Sequence, residues 1–306
     1  MFNPQLGIAV DVFPCEDGHA QERSLLSAVA NTIQARDVWI ADRNFCVLDF
    51  LVEFPRKSAF FVIRQHGNTP YKRLTELKFV GKSATGEVFE QAVEITAPQG
   101  ETLKLRRVVV KLNKPTRNGD KNLILLTHLP EETVEALTIA ELYRARWGIE
   151  TAFQKLESHL NSEINTLGYP KAALFSFCLA LVAFNLYAIV MAALRATHPD
   201  QAINQVVSEY YIAQEIDTTT DGMLIAIPEK EWTLFTQVSL AELGSILLYI
   251  ASYVDLKKYA KSPRGPKKPR PERNQFKGHP PVSTAKLLRG VIVLLIVIPI
   301  FLVNQL

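Results

Sequence analysis

The chain has 306 residues, of which 48% are apolar and 21% charged, with a formal net charge of +3. That length holds one large domain or two ordinary ones, and that balance excludes a disordered or fibrous chain. The small net charge says little about partners. Cys15, Cys46 and Cys178 are widely spaced, with no CxxC pair. This pattern argues against a structural zinc site and fits a reduced cytosolic compartment. His19, His66, His128, His159, His198 and His279 are scattered, so a histidine-based zinc hydrolase is not expected. There is no glycine-rich phosphate loop and no GxSxG elbow. The start, Met1 to Gln5, lacks the basic and apolar regions of a secretory signal.

In chain order, residues 6–14 read as a strand stopped by Pro14. Residues 21–34 have helical periodicity, and 38–41 form a short apolar run ending in Asp42, which predicts a buried strand. Residues 48–54 predict a short helix. This strand–helix–strand–helix order favours an α/β layer fold. From 59 to 127 the pattern becomes strand-like, at 59–63, 77–80, 89–95, 103–110 and 123–126, punctuated by glycine, proline and asparagine. This predicts an antiparallel insertion of about five strands. Residues 138–160 read as one long helix, with Thr138 and Glu141 as its capping box. Helices follow to about residue 253. Residues 172–194 carry no charge and are long enough to cross a bilayer; Ser176, Asn185, Tyr187 and many alanines favour a helix buried among others. Residues 257–277 are rich in lysine, arginine and proline around Lys267, Lys268 and Arg270, which predicts an extended arm. The arm is either a solvated linker or a set of phosphate contacts. The aliphatic run 291–303, interrupted by Pro299, is too short for a span and has no functional account.

The most informative stretch is Tyr143-Arg144-Ala145-Arg146-Trp147-Gly148-Ile149-Glu150. On one helix, Tyr143, Arg146 and Glu150 would share a face. A hydroxyl, a guanidinium and a carboxylate pointing one way suit a site for a phosphodiester and a divalent metal better than a core. Asp42 closes a strand, where α/β folds place ligands, although an aspartate there also caps a following helix.

The Y-x2-R-x3-E spacing in its RWxIE-like context, with an Asp-Arg pair ending a strand and a β-rich region between, resembles the DDE transposases of the insertion-sequence-four family. The resemblance covers roughly residues 7–210. It implies an RNase H-like three-layer core, formed by 1–56 and 135–215 with its N-terminal strands missing. The β insertion would be 57–134, followed by a helical region at 216–256, the basic arm at 257–289 and an apolar tail at 290–306. It also implies metal-dependent cleavage of transposon ends by hydrolytic nicking, then strand transfer by the freed 3′-hydroxyl. Asp42 and Glu150 would be catalytic, metal-binding acids for Mg²⁺ or Mn²⁺. Tyr143 and Arg146 would hold DNA phosphates. The family's lysine seven residues after the glutamate is Glu157 here, and Lys155 is the substitute. Lys267, Lys268 and Arg270 would add contacts to double-stranded DNA. The resemblance further implies terminal inverted repeats and target DNA as partners, a homodimer, no membrane, and a bacterial cytoplasmic, nucleoid-associated location. Trp147 is expected in the core.

The family's first acid lies on a first strand before a hairpin. Here 6–13 reads as the third strand, so the chain is expected to be N-terminally shortened and catalytically impaired. Asp11 is a replacement by sequence position only. The rival expectations are an inactive relative that still docks on DNA, and a membrane protein using 172–194 and the C-terminal apolar run.

Overall fold

The computed structural model describes residues 1–14, 22–116, 119–160, 169–262 and 265. In chain order they form β1 (Phe2–Asn3), β2 (Ile8–Ala9), α1 (Leu26–Ala30), β3 (Val38–Ala41), α2 (Leu48–Leu51), α3 (Glu53–Arg56), β4 (Phe60–Arg64), β5 (Lys72–Arg73) and β6 (Lys78–Ser83). Then come β7 (Gly86–Thr96), β8 (Thr102–Leu112), β9 (Asn122–Thr127), α4 (Ala136–Arg144), α5 (Trp147–Leu160), α6 (Pro170–Thr197), α7 (Ile203–Val206), α8 (Glu209–Ala226), α9 (Glu229–Trp232) and α10 (Leu240–Ser252). The result is a mixed α/β fold. Two compact units divide the described residues: Phe13–Thr151, and Met1–Val12 together with the chain from Ala152 onward. The boundary falls within α5.

The first unit is built on a seven-stranded sheet in the order β3-β4-β9-β8-β7-β5, with β6 also on β7. Only β3 and β4 are parallel; the other pairs are antiparallel. Period-two alternation gives each strand two apolar faces. One face packs Ile63, Val93, Leu105 and Leu126 against Phe50, Leu51 and Phe54 of α2 and α3. The other packs Val62, Val88, Val108 and Leu125 against Ile139, Ala140 and Tyr143 of α4. Phe54, Phe61, Ile63, Leu125 and Ile139 have essentially no exposed surface, and burying each contributes about 1.5–3 kcal/mol. The run 38–41 is a strand as expected but lies at the sheet edge with one neighbour, so Val38 is exposed rather than buried.

An ion pair inside this unit fixes the approach to α4. Arg106 donates to Glu90 (2.6 Å) and to the carbonyls of Leu129 (3.1 Å) and Val134 (2.6 Å). These bonds tie the segment entering α4 to the middle of the sheet.

The expected single helix over 138–160 is two helices. α4 starts at Ala136 after Glu135, and Glu141 pairs with Arg144 instead of capping. Between α4 and α5 the backbone bonds tighten to the i→i−3 pattern: Ala145 to Leu142, Arg146 to Tyr143, Gly148 to Ala145 and Ile149 to Arg146. A tightened turn beside a helix-weakening glycine is a recognised cause of a kink.

In the second unit, residues 6–13 are not a third strand of the main sheet. Gly7, at φ 73°, closes a turn back to Asn3, whose side-chain oxygen accepts the N–H groups of Gln5 and Leu6. β2 therefore pairs with β1 in a separate two-stranded ribbon. The side-chain amide of Asn185 bonds both the N–H (2.8 Å) and the carbonyl (2.9 Å) of Ala9, completing that edge. α6 forms, but only one side of it is covered. Ala180, Phe184, Met191 and Leu194 are buried, whereas Phe175, Leu179, Val182, Leu186 and Ile189 are exposed. The expectation of a helix buried among others is corrected accordingly. Its span Lys171–Thr197 is long and apolar enough to cross a membrane, and no other described helix is. Met191, Leu194, Ile203, Val207 and Ile212 form a core with Ala251 of α10. The basic arm expected from 257 does not begin there: Leu256–Tyr259 is a 3₁₀ turn packed on this core, and Ala260 bridges Val207. The centre of the arm at Lys267, Lys268 and Arg270, and the apolar tail, lie outside the described residues.

Candidate active site

Asp42 stands immediately after β3, half-buried, at the carboxyl end of the strand. Its Oδ1 accepts the Asn44 N–H at 2.8 Å and so caps the 3₁₀ turn Arg43–Phe45. The capping role weighed for this residue is thus present, and it engages one carboxylate oxygen. In the parallel pairing of β3 and β4, Ala41 lies opposite Ile63. The next residues along the two chains are Asp42 and Arg64. Arg64 bonds Asp120 at 2.7 Å, and Thr116 donates to the same carboxylate at 3.2 Å. The Arg64 hydrogen bond holds the Asp120 carboxyl below the usual range, with the nearby Arg43 charge acting the same way.

The Tyr143, Arg146 and Glu150 trio is brought together across the kink. Tyr143 is 3% exposed and belongs to the core of the first unit. Burial raises the pKa of its hydroxyl; the charges of Arg146 and Arg64 oppose that rise, and the Asp42 carboxylate adds to it. The Arg146 guanidinium lies 5.8 Å from the Tyr143 ring centre and 5.4 Å from that of Trp147. It also pairs with Glu150 at 2.9 Å. Its Nε is buried without a partner. Glu150 is in the first turn of α5 with its side chain 51% exposed. Trp147 is 57% exposed, correcting the expectation of a core position; its ring lies against the Arg146 guanidinium.

Lys155 is on α5, and its side chain is outside the described part; Lys267, Lys268 and Arg270 also lie outside the described residues. Asp11 belongs to the other unit, where its carboxylate accepts the Val12 N–H at 2.7 Å. Two neighbours of the site, Arg64 and Asp120, escaped the sequence reading. Arg64 ends an apolar run as Asp42 does, and that was the available signal, but only the strand register makes them neighbours.

The donor set can be tested against a divalent ion. Asp42 and Glu150 offer hard carboxylate oxygens, each with one oxygen already in a protein hydrogen bond or ion pair. Among the described residues no group of three His, Cys, Asp or Glu side chains could hold a metal. One or two carboxylates with phosphate and water completing the shell is the arrangement Mg²⁺ takes, whereas Ca²⁺ prefers a fuller protein cage. As hard oxygen donors the two acids suit Mg²⁺ by their chemistry.

Comparison with known proteins bears on the same residues. The family described as "Transposase DDE domain" matches residues 2–186, a span that contains Asp42, Arg64, Tyr143, Arg146 and Glu150. A Sinorhizobium fredii protein named as a transposase, y4zB, is 29% identical over 178 residues, covering 54% of this chain and 48% of the relative. A Geobacillus stearothermophilus protein named as a transposase for insertion sequence element IS5377 is 25% identical over 127 residues, covering 42% of this chain and 32% of the relative. The mixed α/β architecture and this match define a DDE-type domain. The chain belongs to the transposase DDE domain family. Matched segments span about half and about a third of those two relatives. The family generally depends on a divalent metal.

Proposed function

We propose that this chain is the DNA-processing part of an insertion-sequence transposase of the insertion-sequence-four type, with an RNase H-like core at 1–56 and 135–215 around a β-rich insertion. In this reading Asp42 and Glu150 are the metal-binding acids, and Tyr143 and Arg146 hold the phosphate to be cut. Lys155, Lys267, Lys268 and Arg270 add DNA contacts. The partners are double-stranded DNA, as terminal inverted repeats and target, and a second copy of the chain; the setting is the bacterial cytoplasm and nucleoid. The observation that carries the reading is the grouping of buried Tyr143, Arg146 at 5.8 Å from its ring centre and Glu150 at 2.9 Å from Arg146, inside the span that matches the DDE domain family.

Mg²⁺ or Mn²⁺ held by Asp42 and Glu150 would act as a Lewis acid at the scissile phosphate. The protein's own part is positional. Arg146 exchanges Glu150 for a phosphate oxygen, gaining a charge-assisted hydrogen bond. The Tyr143 ring sits 5.8 Å from the guanidinium and restricts where it can swing. High hydroxyl pKa keeps Tyr143 a neutral donor at pH 7. Asp42 is held in orientation by the Asn44 N–H.

Cleavage of duplex carrying the element's ends tests this reading: Glu150→Gln should abolish Mg²⁺-dependent nicking, and unchanged nicking would sink the assignment. A second reading is favoured by the Arg146–Glu150 pair, which engages the glutamate, and by the two-acid donor set: the chain docks on DNA and cuts weakly or not at all. Binding that weakens steeply with salt, without Mg²⁺-dependent nicking, would select it.

A further inference from the structure

On the sheet face away from Tyr143, three adjacent strands bring together Gln91, Arg107 and Arg73. Gln91 of β7 lies directly opposite Arg107 of β8, and Val93, two residues on, lies opposite Arg73 of β5. Directly opposed residues in an antiparallel pair point to the same face, with Cβ atoms about 4.5–5.5 Å apart. Gln91 is 5% exposed, and its Nε2 is buried without a hydrogen-bond partner. An orphaned buried donor is costly, so native proteins seldom leave one without a reason.

Arg107 deepens the anomaly. Its Nε donates to Gln65 at 2.8 Å, and its guanidinium lies 5.0 Å from the Tyr71 ring centre. Among the described residues it makes no ion pair with a carboxylate. Burial and the like charge of Arg73 both work against its protonated form, and only Tyr71 favours it. By strand register Arg107 and Arg73 flank the buried amide donor of Gln91, and among the described residues neither forms an ion pair with a carboxylate, which makes a cradle of donors lacking its acceptor.

We infer that Gln91, Arg107 and Arg73 form a second anion site, for a phosphate-type oxyanion, on the opposite sheet face from Asp42 and Glu150. An oxyanion there accepts from Gln91 Nε2 and from the terminal nitrogens of Arg107, and neutralises the repulsion with Arg73. Arg107 then acts as a planar, fixed fork against Tyr71, which suits phosphate better than chloride. The oxyanion comes either from a DNA backbone, which rests on the function proposed above, or from a free phosphate.

The test uses the full chain with inorganic phosphate and, separately, a short DNA duplex. Phosphate should raise Tm above an equal ionic strength of chloride, and Gln91→Leu and Arg107→Gln should each abolish that rise. Gln91→Leu removes the orphan donor, so a mere packing defect predicts a more stable protein with the phosphate response intact. Arg73→Gln, at an exposed position, should lower the response and serves if Arg107→Gln does not fold. If Arg107→Gln also weakens duplex binding and reduces the slope of log affinity against log salt by about 0.9, the source is the DNA backbone. Loss of the phosphate response with unchanged duplex affinity assigns a free oxyanion. No phosphate-dependent rise in the wild type, or a rise kept in the variants, overturns the site. A phosphate response in a chain that binds no duplex would instead remove the transposase reading and leave this site standing.

Discussion

Replacing Arg146 with methionine separates a structural role from a DNA-binding one. The i,i+4 pair with Glu150 is partly exposed, with side chains 20% and 51% accessible, and such pairs contribute about 0.3–0.5 kcal/mol. The guanidinium contacts with Tyr143 and Trp147 contribute about 0.5–1 kcal/mol each. Against this, the buried Nε has no partner, and its removal relieves about 1–3 kcal/mol. Methionine keeps most of the apolar stem. These contributions nearly cancel, so Arg146→Met should change unfolding free energy by no more than about 1 kcal/mol in urea titration. Its effect on DNA should be much larger. A hydrogen bond to a charged group contributes about 1.5–3 kcal/mol, so duplex affinity, measured by fluorescence anisotropy, should fall about 10- to 100-fold. A variant that unfolds easily but binds duplex like the wild type would refute the reasoning and leave Arg146 a helix-surface ion pair.

Other outcomes follow from the same packing. Gly86→Ala would place a Cβ 1.9 Å from the Lys111 carbonyl oxygen at the close of the β6–β7 turn; urea unfolding should show a loss of about 1–3 kcal/mol. Arg106→Met strands Glu90, whose side chain is 16% exposed, and should cost about 3–5 kcal/mol; adding Glu90→Leu should recover most of it. His128 is half-buried, with Nε2 on the Ala59 carbonyl at 2.8 Å and a buried Nδ1 without a partner. Burial lowers its pKa, so its stabilising contribution is full above the unfolded value of about 6.5 and declines as pH falls from there toward the folded-state value. Stability curves of wild type and His128→Leu should therefore converge as pH drops below about 6.5, and parallel curves would refute the assignment.

Local chemistry made part of this molecule legible. Residues 38–41 are apolar up to Asp42, and they form a strand with Asp42 just beyond its end. The strand-like runs at 89–95 and 103–110 lie within β7 and β8, which pair as one long hairpin. Tyr143, Arg146 and Glu150 were visible because their spacing joins unlike chemistry. The break between Arg144 and Trp147 was not visible, because Gly148 is a weak signal and Thr138 with Glu141 imitates a cap. Residues 6–13 alternate like a strand, but their partner at Asn185 is 176 residues away. Arg64 and Asp120 meet over 56 residues, and no local rule points from one to the other. Edge position misled in the same way for Val38, since burial depends on which strands arrive later in the chain.

In the proposed site, Asp42 and Glu150 together hold one divalent ion at the end of β3. Electron paramagnetic resonance of Mn²⁺ with the full chain and a short duplex measures this directly. The account predicts bound Mn²⁺ in the wild type and its loss in both Asp42→Asn and Glu150→Gln, with Arg146→Met retaining it. No bound Mn²⁺ in the wild type, or binding unaffected by either acid substitution, would contradict it.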